Sequence, residues 1–291
     1  MRKTVSLVVF ALISAMFFSC QKAVVDNEDM ETAKLRFNIT QFEQIPFDFT
    51  SATRGTNISN VCTRLNFAVY HDGVRKEQIN QLSTDNDFGT FNLALQPGTY
   101  QLVVLAHSSE ANPTMTDPCK ITFTNKDMVT DTFWYGDTLV VNNDSTCQIK
   151  LKRAVAMVRL QTTDTVTNNV KLVRFYYTGG SSTFDALKGV GCVNSQQAVN
   201  FDITSDMVGK QMTFDAYTFP KAENNGLNLK VTTHDKGNNV LVEKTLSNVP
   251  VKQNVITLYK GPLFDRSASG KADFQIDLES DDEWATEEYS F

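Results

Sequence analysis

The feature that most restricts this chain is an alternation of apolar and polar residues with a period of two, with almost no helical periodicity beside it. Leu35, Phe37 and Ile39 alternate with Arg36 and Asn38. Leu65, Phe67 and Val69 do the same and end at the turn sequence His71-Asp72-Gly73. Successive side chains of a strand point to opposite faces, so this pattern buries one face on a core and wets the other. Phe91, Leu93 and Leu95 lead into Gln96-Pro97-Gly98-Thr99, and the chain returns as Tyr100 to Ala106, which reads as a hairpin. Ile121 to Phe123, Thr138 to Val141 and Gln148 to Lys152 add three short strands. A second set begins around Arg153: Val155 to Leu160, Val170 to Tyr177, Val199 to Ile203, Met212 to Phe219, Leu227 to Thr233, Val240 to Leu246 and Val255 to Tyr259. Asp235-Lys236-Gly237-Asn238-Asn239 is a turn between two of these. Short strands separated by turn residues indicate an all-β chain of sandwiches and not βαβ units. With no Pro/Gly linker near Arg153, the expected organisation is an N-terminal β-sandwich over 34–153 and a C-terminal one over 154–264, packed with limited freedom. Residues 265–291 remain as a tail.

The N-terminus speaks to compartment. Arg2 and Lys3 precede an apolar run from Val5 to Phe18 that stops at Ser19-Cys20. A basic start, an apolar run too short to span a bilayer and a small residue before the cut describe a secretory signal over 1–19. A Cys at the first mature position makes it a lipoprotein signal, although Phe17 and Phe18 stand where Leu and a small residue are usual. Acyl chains on Cys20, at about 0.8 kcal/mol per buried methylene, would hold the protein on a membrane. Residues 20–33 then form a polar, acidic tether.

The net charge is −6, and eight acids with no base follow Lys271. The body is therefore close to neutral with an acidic end, which argues against a nucleic-acid partner. A solvated tail that aids solubility is the simpler reading of those acids. Beyond Cys20, Cys62, Cys119, Cys147 and Cys192 allow three complete disulfide pairings, with free buried thiols an equal alternative.

No catalytic constellation stands out. His71, His107 and His234 are far apart, each on or beside a turn, and read as surface residues. No His-Glu-x-x-His or Cys-x-x-Cys spacing signals a metal, and no cofactor is implied. Gly179-Gly180-Ser181-Ser182 lacks the spacing and Lys of a phosphate-binding loop. Phe133-Trp134-Tyr135 could be a ligand platform, but alternation places at least one ring in a core.

Two features carry a mechanism, and both concern strand edges. An open sandwich exposes unpaired backbone groups that another chain can complete. In the first feature, Lys271 to Leu278 puts Phe274, Ile276 and Leu278 on one parity, making a candidate donor strand or, alternatively, the last strand of its own sheet. The second is Arg54-Gly55, in the small, polar stretch 50–60. A trypsin-like protease cutting there would free everything from Cys20 to Arg54, including the Leu35 to Ile39 strand.

The lipoprotein signal, the leading strand followed by Thr53-Arg54-Gly55 and the segment Leu93-Ala94-Leu95-Gln96-Pro97-Gly98-Thr99-Tyr100 together resemble the Bacteroidales fimbrillin superfamily, the lipoprotein subunits of type V pili. Ile149 to Leu160 looks like the strand, Arg and strand that join two domains in that family. Val170 to Gly180 and Ile256 to Gly261 are similar to the branch of minor and anchor subunits. The resemblance covers nearly the whole mature chain, through structural motifs only. It implies two transthyretin-like sandwiches, other fimbrial subunits as partners, a place in the fimbrium at the cell surface, and assembly by strand exchange. It points two ways at Arg54: polymerising members are cut in this loop, whereas anchor-type members keep lipid and first strand. The expectation is a non-enzymatic outer-membrane lipoprotein that serves as an anchor or accessory subunit of a cell-surface fimbria. The alternative is a surface lipoprotein that binds glycan or another ligand through its sandwiches; a hydrolase on a β scaffold ranks below both.

Overall fold

The computed structural model describes residues 31–43, 58–124, 129–223, 226–265, 270–271, 275–280 and 287–289. The expected sites Cys20, Arg54, Gly55 and Phe274 lie outside the described residues. The regular structure of the described chain is nearly all β, as the alternation requires.

The first half contains β1 (Ala33–Phe42), a single helical turn α1 (Ile58–Val61), β2 (Arg64–His71), β3 (Val74–Leu82), β4 (Thr90–Leu95), β5 (Gly98–His107), β6 (Ile121–Thr122), β7 (Phe133–Val141) and β8 (Ser145–Arg153). Seven of these strands are hydrogen-bonded in the order β3-β2-β5-β7-β8-β1-β4. Strands β7 and β8 pair only at Phe133↔Arg153 and Trp134↔Lys152, so the sheet divides there into two layers. Leu35, Phe37, Leu65, Phe67, Phe91, Leu102, Val104 and Leu151 meet between the layers in one apolar core. Phe67 lies 5.0 Å from Phe37 and 4.8 Å from Phe91, ring centre to ring centre. The β2–β3 turn has positive φ at Asp72 (52°) and Gly73 (74°). That is the backbone a two-residue hairpin needs, and the reason Asp-Gly serves there.

The hairpin expected at Pro97-Gly98 is not formed. Strand β4 pairs with β1, whereas β5 pairs with β2 and β7. Gln96 and Pro97 therefore carry the chain from one layer to the other. Both flanking runs face the same core from opposite sides, which produces the apolar pattern of a hairpin without its pairing. The Tyr100 hydroxyl donates to the Gln96 carbonyl at 2.9 Å and pins this crossing.

The second half contains β9 (Ala156–Thr162), β10 (Leu172–Thr178), β11 (Thr183–Asp185), β12 (Val190–Gly191), β13 (Gln197–Asp202), β14 (Thr213–Thr218), β15 (Leu227–His234), β16 (Val240–Val249), β17 (Val255–Gly261), β18 (Gly270–Lys271), β19 (Gln275–Ser280) and β20 (Glu287–Tyr289). One sheet runs β13-β10-β15-β16-β18 and another β14-β9-β17-β19-β20. Val158, Leu160, Phe175, Tyr177, Phe214, Leu229, Val231 and Tyr259 belong to the core they share. A small third sheet, β12-β11-β6, joins a strand of the first half to two of the second. Its residues close a further apolar cluster in which Tyr70, Val103 and Leu105 pack with Met115, Ile121, Trp134, Phe184 and Phe219.

Two of the three histidines depart from the surface reading. His107 is fully buried and His234 is 5% exposed. The His107 ring accepts from the Ser109 backbone N–H at 3.1 Å through Nδ1, so Nε2 carries the proton and donates to Asn66 Oδ1 at 2.7 Å. Both ring nitrogens are satisfied by neutral partners, which makes burial tolerable. Desolvation, reinforced by the nearby Arg64 charge, lowers its pKa to about 3. All four described cysteines are free thiols: Cys62 is buried, Cys147 half-buried, Cys119 and Cys192 exposed.

Candidate functional site

The first candidate site is the slot that holds β1. This strand runs antiparallel to β4, from Ala33↔Leu95 to Asn38↔Thr90, and parallel to β8, from Leu35↔Ser145 to Phe42↔Leu151. Its backbone is thus hydrogen-bonded on both sides. Leu35, Phe37 and Ile39 are all at or below 6% exposure, while Lys34, Arg36 and Thr40 on the opposite parity are exposed. Burying each large apolar side chain contributes about 2 kcal/mol. A strand leaving this slot would uncover two ladders and an apolar floor, the combination that strand addition requires.

The candidate donor residues Ile276 and Leu278 lie in β19, which pairs antiparallel with β17: Tyr259↔Ile276 and Thr257↔Leu278. Strand β20 adds outside it through Leu278↔Glu287. In this structure the segment is therefore part of its own sheet. The approach to it is fixed by Asp164, whose Oδ1 accepts from the Leu263 N–H at 2.9 Å and whose Oδ2 accepts from Phe264 and Asp265 at 2.6 and 2.8 Å.

The second candidate region is the junction after β8. Arg153 has a fully buried side chain, with Nε donating to Asp131 Oδ1 at 2.8 Å and Nη2 to Asp131 Oδ2 at 3.1 Å. Its Nη1 donates to the Asn254 side-chain carbonyl, and its own backbone carbonyl accepts from the Gln253 amide. Its guanidinium also lies 5.0 Å from the Phe133 ring centre. Asp131 precedes β7, and Gln253 and Asn254 precede β17, so one side chain ties the two halves of the chain together. Backbone bonds from Ala154 to the Thr132 carbonyl (2.8 Å) and from Asn254 to the Val155 carbonyl (2.9 Å) flank it.

Beside this tie, Trp134 fills a slot between halves. Phe133 faces the first core and Trp134 the opposite cluster, as strand alternation dictates. The indole packs edge-on to Phe184 at 5.3 Å, with the Lys152 ammonium 4.9 Å from a ring centre. A Cβ on Gly189 would fall 2.3 Å from the indole, and one on Gly136 2.4 Å from the Ala186 carbonyl oxygen. Both positions must be glycine for the ring to seat. The aromatic triplet is therefore a packing element.

A model of a family of unknown function, DUF6562, matches residues 26–291. The chain belongs to this family. No curated protein sequence matches this DUF6562 chain. Among solved structures it is similar to a "putative adhesin" from Bacteroides ovatus ATCC 8483, with 14% identity, a TM-score of 0.52, and coverage of 84% of this chain and 94% of that one. A second "putative adhesin" from Bacteroides ovatus gives 9% identity and a TM-score of 0.51, covering 91% and 97%. "Putative polysaccharide binding proteins (DUF1812)" from Bacteroides thetaiotaomicron VPI-5482 give 12% and 0.50, covering 89% and 98%. At such identities the likeness establishes a shared fold.

Sequence reasoning missed the DUF6562 chain's buried Arg153–Asp131 tie, because the partners are 22 residues apart in sequence. One signal was present: an Arg directly against the apolar run Ala154 to Val158. An arginine inside such a run has to be paired if it is buried. Among the described residues, no three His, Cys, Asp or Glu side chains gather as metal ligands would.

Proposed function

We propose that this DUF6562 protein is a non-catalytic structural subunit, anchor or accessory, of a cell-surface fimbria, assembled by β-strand complementation and held at the outer membrane through lipid on Cys20. The observation that carries the reading is the β1 slot. Its occupant is bonded on both edges, buried on one face, and followed by the segment that contains Arg54. The likeness in fold to proteins named as adhesins supports a surface role of this kind. In this reading the two core-centred halves are transthyretin-like sandwiches over 34–153 and 154–264, joined by the Arg153 tie and the Trp134 slot.

The test has two parts. The protein is recovered from native envelopes for intact mass and N-terminal sequencing: an acylated Cys20 marks an anchored subunit, and a free Gly55 marks a polymerising one. Purified chain is then cut after Arg54 with a trypsin-like protease and offered a labelled peptide of residues 33–42. Exchange of the peptide into the β1 slot is the expected result. A cut chain that neither releases its own strand nor accepts the labelled one refutes complementation.

A further inference from the structure

The outer face of the layer β8-β1-β4 has an unusual charge. In a chain with a net charge of −6, these three adjacent strands contain five bases and no acid. Arg153 turns inward, leaving Lys34 and Arg36 on β1 and Lys150 and Lys152 on β8, all exposed. Among the described residues, none of these four forms an ion pair with a carboxylate. Lys152 lies against the Trp134 ring and Arg36 Nε donates to Asn38 Oδ1 at 3.4 Å, so these two cations have neutral neighbours on the face.

The rest of this face is made of side chains that hydrogen-bond without charge. Arg36 is in register with Asn92 on β4 and Thr146 on β8, and Asn38 with Thr90 and Gln148. Thr90 Oγ1 donates to Asn38 Oδ1 at 3.2 Å. At the Lys34 end the face opens into a hollow of about 640 Å³, bordered by Lys34, Arg36, Asn92, Ala94, Asp144 and Thr146. Asp144, the one acid at this rim, is engaged by the Lys34 backbone N–H at 2.7 Å.

We infer that this face docks the acidic C-terminal segment of a second copy of the chain. The segment after Lys271 has eight acids and no base, the inverse of the face. The spacing also corresponds. Asp277, Glu279 and Asp281 recur at every second residue, as do Lys34 and Arg36, and Lys150 and Lys152. In extended chains that interval is about 6.6 Å, so the acids of a segment released from its pairing with β17 and β20 repeat at the interval found within each basic pair. The contact is electrostatic and solvent-exposed, and it weakens steeply with salt. The inference rests on the fimbrial reading in one respect, that copies are stacked in series; the binding itself does not require it.

The experiment titrates a fluorescent peptide of residues 271–291 into the full mature chain, read by anisotropy at 50 and 300 mM NaCl. Binding should weaken at least tenfold between the two salts. Lys34→Glu/Arg36→Glu and Lys150→Glu/Lys152→Glu should each weaken it at least tenfold, while Lys171→Glu/Lys236→Glu changes it less than twofold. Circular dichroism confirms that each variant is folded. Binding indifferent to the face reversals overturns the inference. So does an absence of binding at 50 mM salt, including the case in which phosphatidylglycerol vesicles or dextran sulfate bind the face instead. These substitutions leave the inner side chains of β1 in place, so retained exchange of the 33–42 peptide without tail binding would overturn this docking alone.

Discussion

Replacing Arg153 with methionine tests whether the junction is held by the buried guanidinium. Met keeps much of the aliphatic volume but removes the donors to Asp131 and Asn254 and the contact with Phe133. Breaking a buried ion pair by removing one partner costs about 3–5 kcal/mol, chiefly because the remaining charge is left unpaired. Asp131 is 18% exposed against 0% for the Arg153 side chain. Water can therefore recover part of its solvation, which places the loss near the lower limit, about 3 kcal/mol. For a chain of this size that corresponds to a fall in Tm of about 6–12 °C. Urea unfolding followed by tryptophan fluorescence is suited to the measurement, because Trp134 sits in the adjoining slot. The double variant Arg153→Met/Asp131→Leu removes the orphaned charge as well and should recover most of the loss, to within about 1 kcal/mol of the parent. A single variant that loses less than 1 kcal/mol, or a double variant worse than the single, would refute the argument that the pair locks the junction.

Other substitutions and conditions test neighbouring features. Gly189→Ala should cost about 2–4 kcal/mol, combining its φ of +73° with a Cβ driven into the indole. Gly209→Ala has a similar φ of +80° with nothing within 4 Å, and should cost only about 1–2 kcal/mol; equal losses in thermal melts would mean the Trp134 slot is not tight. His107 has a folded-state pKa of about 3 against an ordinary 6.5, so the unfolded chain binds the extra proton. Its contribution to stability is complete above pH 6.5 and declines as pH falls toward 3, by up to about 1.4 kcal/mol per pH unit. His107→Gln should flatten that part of the stability–pH curve, and an unchanged slope would show that other groups set it. Iodoacetamide followed by peptide mass mapping should label Cys119 and Cys192 well before Cys62. Burial withholds the Cys62 thiol from reagent and raises its pKa to about 12. Labelling of Cys62 at the same rate in folded protein would contradict its burial.

The strands with one wet face were legible because their alternation survives folding unchanged. Leu35-Phe37-Ile39 in β1 bury the parity predicted and leave Lys34 and Arg36 exposed. In β2 the parity opposite to Leu65-Phe67-Val69 is buried as well, because Ala68 and Tyr70 pack in the cluster shared with the second half, with Asn66 buried beside them. The Asp72-Gly73 and Asp235–Asn239 turns were legible for a local reason too: Asp235 Oδ1 accepts from the N–H groups of Gly237 (2.8 Å) and Asn239 (2.9 Å) within the loop itself. What failed depended on which layer a strand joins. Tyr100 to Ala106 has the same pattern whether it pairs with β4 or crosses to β2, and no local residue decides between them. Strand β3 went unread because an edge strand with residues such as Arg75, Lys76, Glu77 and Gln78 buries too little to show a period. Strands β11 and β12 are short, and β11 takes its other partner, β6, from far earlier in the chain. His107 was misplaced because its burial relies on Asn66, 41 residues away. In the candidate site, β1 and its buried parity could be read directly, and so could β4 and β8 as strands, whereas their pairing with β1 could not.

The separation of those two strands along the chain has a consequence in time. Leu35 is opposite Leu93 and Ser145, so β1 is bonded on its second edge by a segment synthesised 110 residues later. As the chain emerges from its N-terminus, Leu35, Phe37 and Ile39 wait exposed until β8 has followed. Pairing across so long a loop is slow to form. The earliest strand among the described residues is thus the last of the first half to be enclosed, and throughout that interval its place is open to any strand of matching pattern.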